Sequence, residues 1–294
     1  MIPEGDRMTD TVPDWRPRVT ALLPSWNAAA FIQPTLDCLA AQTWPELEIL
    51  IGDDRSTDST PEIIRAFAAG QPNVRILERS ANMGWLRNTN DLMANATGEL
   101  MFFAFHDDVV DPTYVEKLVA ALRDRPAAIM AFSDMDVREL DGVVTRWSFG
   151  ALDSVTGAVR RGKVMARRRN GWWVPNRGLF RAQAFRRIGG IRPNACGEFS
   201  ADWTWLFHMA ILGDFVRVPE VLVHKAYQTG SLSKRWTHTP EQQTALWRAG
   251  LTEIGLSPLT PPQKAHLAAY LTWRHRVAFS RLLRRRLRQR LGGV

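Results

Sequence analysis

The stretch Leu47-Glu48-Ile49-Leu50-Ile51-Gly52-Asp53-Asp54-Arg55-Ser56-Thr57-Asp58 decides the fold. A mostly apolar run that stops abruptly at two acids reads as a buried strand over 47–52. Apolar residues then recur at helical spacing over 60–69, with Pro61 at a first-turn position. A strand passing into a helix through a short acidic turn is the repeating unit of a parallel sheet.

The same unit recurs on both sides. Upstream, residues 19–23 form an apolar run closed by Pro24, and Phe31, Ile32, Leu36 and Leu39 predict a helix over 31–42. Downstream, strands are predicted over 74–77 and 99–105, with a helix over 84–96 between them. This alternation predicts an α/β fold, with a mostly parallel central sheet covered by helices on both faces. Ligands of such sheets sit outside the carboxyl ends of the strands. Residues 24–27, 53–54 and 106–108 should therefore face one cleft.

Past Asp111-Pro112 the pattern loosens. A helix is predicted over 114–123, and Asp141-Gly142 marks a hairpin between 129–138 and 143–149. The basic stretch 153–171 reads as a mobile loop. Helices follow over 179–188 and 201–212, strands over 215–218 and 221–227, and further helix from Thr239, broken around 257–262. The expected division is a loose leader over 1–17, a main domain over 18–236 with halves at 18–112 and 113–236, and a helical extension over 237–294.

Composition excludes several classes. With 45% hydrophobic and 23% charged residues, the chain folds rather than staying disordered. Its two cysteines cannot build a four-ligand zinc site without well-spaced histidines. The opening MIPEGDRMTD lacks a secretory signal pattern, and no apolar run approaches the ~18 residues of a spanning helix. A cytoplasmic location is expected, with peripheral attachment to a membrane face. The net charge of +8 is local: residues 274–294 hold eight arginines and no acid, and the other 30 basic residues match the 30 acidic ones. A neutral body argues against nucleic acid as a partner.

Adjacent acids at the end of a buried strand are costly unless a cation or donor compensates them. Asp53-Asp54 and Asp107-Asp108 both occupy such positions. Carboxylates are hard ligands suited to Mg²⁺ or Mn²⁺ bridging to phosphate. A separate carboxylate, Asp202 at the start of a helix, has the chemistry of a general base. Taken singly, each acid pair reads equally as a solvated turn or helix cap.

The arrangement resembles family 2 glycosyltransferases of the GT-A fold. The matching residues are Leu23 to Asn27, Gln42 to Asp58, Asn82-Met83-Gly84, Arg87-Asn88, Ala96 to Glu99, His106 to Pro112, Gly189-Gly190, Ala201-Asp202-Trp203 and Gly230 to Ser233. The resemblance implies an inverting enzyme that moves a sugar from a nucleotide-diphosphate donor, UDP by family frequency, to a hydroxyl of a glycan or lipid-linked acceptor. It implies a nucleotide pocket of Pro24, Ser25, Asn27, Asp53, Asp54, Arg87 and Asp107. It further implies a divalent metal, Mn²⁺ or Mg²⁺, on Asp108, and a catalytic base at Asp202. Gln228 stands where relatives often carry a third metal ligand, with His224 nearby. The Gln-x-x-Arg-Trp motif of processive members is absent, so single-sugar transfer is expected.

Trp172, Trp173, Trp203 and Trp205 fall near the expected acceptor side; Trp205 reads better as core. Arg167 to Arg169 read either as a phosphate clamp or as a solvated loop. Phe279, Leu282, Leu283, Leu287 and Leu291 alternate with arginines at near-helical spacing, which suits an anionic membrane surface. Competing readings are a GT-A-like protein that binds nucleotide or glycan without turnover, a nucleotidyltransferase, and a nucleic-acid binder. A nucleotidyltransferase usually shows a glycine-rich loop after the first strand, and Pro24 to Ala30 hold no glycine.

Overall fold

A computed structural model describes residues 15–228 and 236–291, without the side chains of 281–291. The first half follows the expected alternation: β1 (Val19–Ser25), α1 (Gln33–Ala40), β2 (Leu47–Asp53), α2 (Thr60–Ala68), β3 (Val74–Glu78), α3 (Trp85–Asn95) and β4 (Leu100–Phe103). Next come β5 (Asp108–Val110), α4 (Tyr114–Asp124), β6 (Ala128–Arg138), β7 (Val144–Trp147), α5 (Ala158–Ala166), β8 (Leu179–Arg181) and α6 (Ala182–Ile188). The chain continues through α7 (Ala201–Leu212), β9 (Asp214–Ala226), α8 (Pro240–Leu256) and α9 (Pro261–Leu291).

The strands form one sheet in the order β3-β2-β1-β4-β8-β6-β9-β5, with β7 on the outside of β6. β3, β2, β1 and β4 run parallel, and every residue of β1 and β2 is buried between helical layers. Parallel pairing needs helical crossovers that cover both faces, which is why β1, β2 and β4 are mostly apolar, with buried Thr20 and Glu48 hydrogen-bonded to each other at 2.6 Å. Antiparallel β8 then links this half to β6, and β9 lies parallel to β6. A register shift at Ser133/Asp134 lets β9 run unbroken past Pro219, where two strands were expected.

The structure corrects four further expectations. The basic stretch 153–171 holds a helix, α5, that buries Gly162, Met165 and Ala166. Buried Arg161 donates to the carbonyl of Ala210 at 2.7 Å and pairs with Asp214, so its charge is spent inside the fold. Residues 179–188 split into the short strand β8 and α6, because Leu179–Arg181 completes the sheet between β4 and β6. The end of the leader is packed: Trp15 lies under Arg181, and the Pro17 carbonyl accepts from Trp44 at 3.1 Å. Trp203 is core rather than acceptor surface, its indole N–H donating to the Met165 carbonyl at 3.1 Å.

α8 and α9 close over α5 and α7. Buried Glu253 of α8 accepts from Arg192 at 2.8 Å and lies 2.6 Å from His208 of α7. Among the described residues, no helix is long and apolar enough to cross a membrane.

Candidate functional site

The ends of β1 and β2 form one rim of the site. Asp53 is buried and accepts from both the backbone and the hydroxyl of Ser56, at 3.1 and 2.5 Å. Asn27 donates from its backbone to Ser56 Oγ at 2.9 Å and accepts from the Thr57 N–H at 2.8 Å. The two strand ends are thus stitched into a single wall. Asn27 and Arg55, at φ 47° and 61°, hold the left-handed backbone that a non-glycine residue rarely adopts. Ser200, just before Asp202, does so at 47°. Backbone strain of this kind concentrates where function over-determines geometry.

Asp54 works through the backbone. Its two oxygens accept from the N–H groups of Met83 and Gly84, at 2.7 and 2.8 Å, and so fix the loop that starts α3. Arg87 lies exposed in the first turn of α3, while Asn88 is buried and ties the helix to the Gly52 carbonyl at 2.7 Å. Glu198 reaches across from the second half of the chain to accept from the Leu86 N–H at 2.9 Å. Pro24 and Ser25 end β1 fully inside the wall, and the Ser25 hydroxyl is buried without a partner among the described residues. Such an orphan is uncommon in folded proteins. Trp26, between Ser25 and Asn27, is 51% exposed.

The second acid pair does not simply follow a strand. β4 stops at Phe103, and Asp108 opens the short strand β5, which pairs antiparallel with β9. That register sets Asp108 opposite Lys225. Lys225 donates to Asp107 Oδ2 at 2.5 Å and to Asp108 Oδ1 at 3.3 Å. Arg177, from the turn Val174–Arg177, donates from Nε to Asp108 Oδ2 at 2.8 Å and lies over the Phe105 ring at 4.7 Å. Two carboxylates and two cations therefore balance in one nearly dry cluster. Burial alone would raise the Asp108 carboxyl, but Arg177 and then Lys225 outweigh it and hold it below the usual range. His106, beside the cluster, is held below its ordinary range, chiefly by burial, and its Nδ1 has no partner among the described residues.

Asp202 stands in the first turn of α7, half-buried. Burial pushes its carboxyl up to about 6, against the pull of Arg177. A carboxyl poised near neutrality is matched to taking up a proton. Arg177 thus acts on both Asp108 and Asp202. The structure brings Pro24, Ser25, Asn27 and Asp53 together as one wall, and Asp107 and Asp108 around Arg177 and Lys225, with Asp202 within the electrostatic reach of Arg177. Arg177 and Lys225 were missed by sequence reasoning. The signal was present only in general form: acids ending a buried strand demand a compensating cation.

His224 does not join the cluster. Being next to Lys225 on a strand, it faces the other way and lies 3.2 Å from Asp111 Oδ1. Gly230 to Ser233 lie outside the described residues.

Comparison with known proteins agrees with this architecture. The family model described as "Glycosyl transferase family 2" matches residues 20–186. The chain belongs to glycosyl transferase family 2 and has the GT-A fold. The uncharacterized glycosyltransferase YibD of Escherichia coli K12 is 35% identical over 123 residues, 42% of this chain and 36% of that protein. Glycosyltransferase GlyG of Streptococcus pneumoniae serotype 4 is 26% identical over 124 residues, 42% of this chain and 41% of its own length. The chain thus spans well under half of these two relatives.

In three dimensions, S. aureus TarS 1-349 in complex with UDP-GlcNAc aligns at TM-score 0.68 and 17% identity, covering 88% of this chain and 72% of that one. Mannosyltransferase PcManGT from Pyrobaculum calidifontis, in complex with GDP-Man and Mn²⁺, aligns at 0.58 and 19%, covering 91% and 73%. At these identities the likeness shows the fold.

Proposed function

We propose that this glycosyltransferase moves a single sugar from a nucleoside-diphosphate sugar, UDP first among them, to a hydroxyl of a glycan or lipid-linked acceptor, with inversion at the anomeric carbon. The observation that carries the reading is Arg177, placed between the acid pair at the strand edge and the raised carboxyl of Asp202. Inverting displacement needs a stabilised diphosphate on one side and a base on the other, and no protein nucleophile.

In this reading Pro24, Ser25, Asn27 and Asp53 line the base and ribose pocket. Asp54 shapes it through the loop before α3, and Arg87 reaches in from solvent. Asp107 faces the ribose, and Asp202 takes the proton of the acceptor hydroxyl. Arg177 keeps Asp202 from rising further and supplies positive charge near the leaving diphosphate.

The acid pair fits a divalent ion in part. Among the described residues no third His, Cys, Asp or Glu joins it. Mg²⁺, however, commonly takes only one or two carboxylates and completes its shell with substrate phosphates. Asp108, with Asp107 beside it, would hold the ion at Oδ1, where Lys225 makes its longer contact. When bound, the ion supplies Lewis-acid neutralisation of the diphosphate.

Thermal shift of the purified protein against UDP, GDP, TDP and CMP, each with and without Mn²⁺, tests the reading. A shift with one nucleotide that is lost in Asp108→Ala supports the donor site. No shift with any nucleotide overturns it and favours a protein that binds glycan without turnover.

A further inference from the structure

Beyond the acid cluster, Arg167, Arg168 and Arg274 gather positive charge that no acid is seen to pair with among the described residues. Arg168 follows α5 in the left-handed backbone region, at φ 44°. Its guanidinium lies 5.7 Å from the Trp203 ring centre and donates to Gln243 Oε1. The charge acting on it is another cation, Arg274 of α9; burial, then Arg274, push Arg168 down to about 10. Arg274 donates to the Arg167 carbonyl at 3.3 Å, while its own Nε is buried without a partner among the described residues. Arg167 leans on the Tyr270 hydroxyl at 3.0 Å, and its side chain is exposed beside this pair. His238 and His275 are both held below their ordinary range, by burial first and then by Arg168, which disfavours further positive charge there.

A guanidinium drawn out of solvent normally has a carboxylate partner, because an uncompensated charge there is costly. Arg168 and Arg274 are both half-buried and lie side by side with no carboxylate on either among the described residues, one with an orphan Nε donor and one on strained backbone. Elsewhere this chain answers its buried arginines: Arg161 has Asp214, and Arg177 has Asp108. The planar, forked donors of arginine match the oxygens of a phosphoryl group. Location adds the second argument. Arg168 rests on Trp203 of α7, the helix whose first turn carries Asp202.

We propose that Arg167, Arg168 and Arg274 form a phosphate-binding subsite for a phosphoryl group carried by the acceptor. This deepens the reading of Asp202 as the base and rests on it only for the word acceptor. The phosphoryl group belongs either to a soluble phosphorylated sugar or to the phosphate that joins a sugar to a polyprenyl lipid, and in both the sugar supplies the hydroxyl.

The test uses the full chain with UDP saturating the donor pocket. Inorganic pyrophosphate is titrated into wild type, Arg168→Gln and Arg274→Gln. In parallel, flotation compares vesicles carrying a polyprenyl phosphate with phosphatidylserine vesicles of equal charge. Pyrophosphate binding weakened about tenfold in each variant, with the UDP shift unchanged, supports the subsite with a soluble source. A preference for phosphate-bearing vesicles that disappears in the variants supports it with a lipid source. Should both variants bind pyrophosphate and vesicles as wild type does, the subsite is overturned. Arg274→Gln on α9 carries the test should Arg168→Gln fail to fold. If no nucleotide shifts the protein yet pyrophosphate binding depends on these arginines, the transferase reading falls and the anion site stands.

Discussion

Arg177 donates to Asp108 across 2.8 Å inside a pocket where Asp108 is 3% exposed, and the same guanidinium draws down the carboxyl of Asp202. One buried cation therefore couples the donor side of the site to its base. Removing it leaves a buried carboxylate without its main partner.

Arg177→Met is expected to destabilise the fold by about 3–5 kcal/mol, the usual cost of breaking a buried pair from one side. Denaturant unfolding measures this. Arg177→Lys keeps the charge but loses the fork and the planar packing on Phe105, so it should fall between wild type and Met. Equal stability of the three proteins would show that the pair carries no energetic weight.

Asp202→Asn is expected to keep nucleotide binding and lose turnover. The group also predicts a pH dependence. Its folded value of about 6 lies above the ordinary carboxyl range, so between about pH 4 and 6 the folded chain holds more protons than the unfolded one. Wild-type stability should therefore fall as pH rises through that window. Asn, which cannot ionise, should gain about 2 kcal/mol relative to wild type at neutral pH and little at pH 4. Turnover should rise with pH through about 6 as the base deprotonates. A flat pH–rate profile would remove Asp202 from the proton transfer.

Lys225 occupies the oxygens a divalent ion would need. Lys225→Met should therefore enlarge the Mn²⁺-dependent part of the nucleotide-induced thermal shift, because two carboxylates lose one of their cations. If the shift in wild type ignores EDTA and Lys225→Met abolishes nucleotide binding outright, lysine itself is the cation that the diphosphate meets.

The parallel half of the fold was legible because β1, β2 and β4 are buried on both faces and announce themselves as mostly apolar runs. Asp53, Asp107 and Asp108 stood out for a related reason, as acids beside such runs, whereas Asp202, on a helix, stood out through the family resemblance. What was not legible depended on long-range register. Lys225 reaches Asp108 because β5 and β9 pair in one register, across a separation in sequence that no local pattern encodes. Helix α5 was hidden by its arginines, one of which is buried and paired with Asp214. Periodicity counts an arginine as solvent-facing, whereas its long stem lets it line a core once a partner takes the charge.

Gly190 tests how tightly the two halves are joined. It follows Gly189, the left-handed cap of α6, and sits at φ 99°. A Cβ there would lie 2.7 Å from Asn90 Oδ1, and Asn90 exchanges hydrogen bonds with the backbone of Ile191 at 2.8 Å in each direction. Gly190→Ala should therefore cost about 1–3 kcal/mol through strain and displacement of Asn90. Gly255→Ala, in helix α8 with open space around it, should instead stabilise by up to about 1 kcal/mol. Thermal melts of the two variants side by side check both signs.

The last arginines bear on the proposed attachment to an anionic membrane surface. Residues before 281 are already committed to the fold: His275 stacks on Trp247 at 4.9 Å, and Arg274 donates to the Arg167 carbonyl. Deleting 274–294 would therefore confuse loss of packing with loss of binding. Truncation after Ser280 removes six arginines and spares those contacts. Each arginine near an anionic bilayer contributes about 1 kcal/mol, so the truncated chain should lose most of its binding to phosphatidylserine vesicles while melting close to wild type. Wild-type binding should also weaken with salt, since the attraction falls off within a Debye length. Undiminished vesicle binding by the truncated chain would exclude residues 281–294 as the anchor.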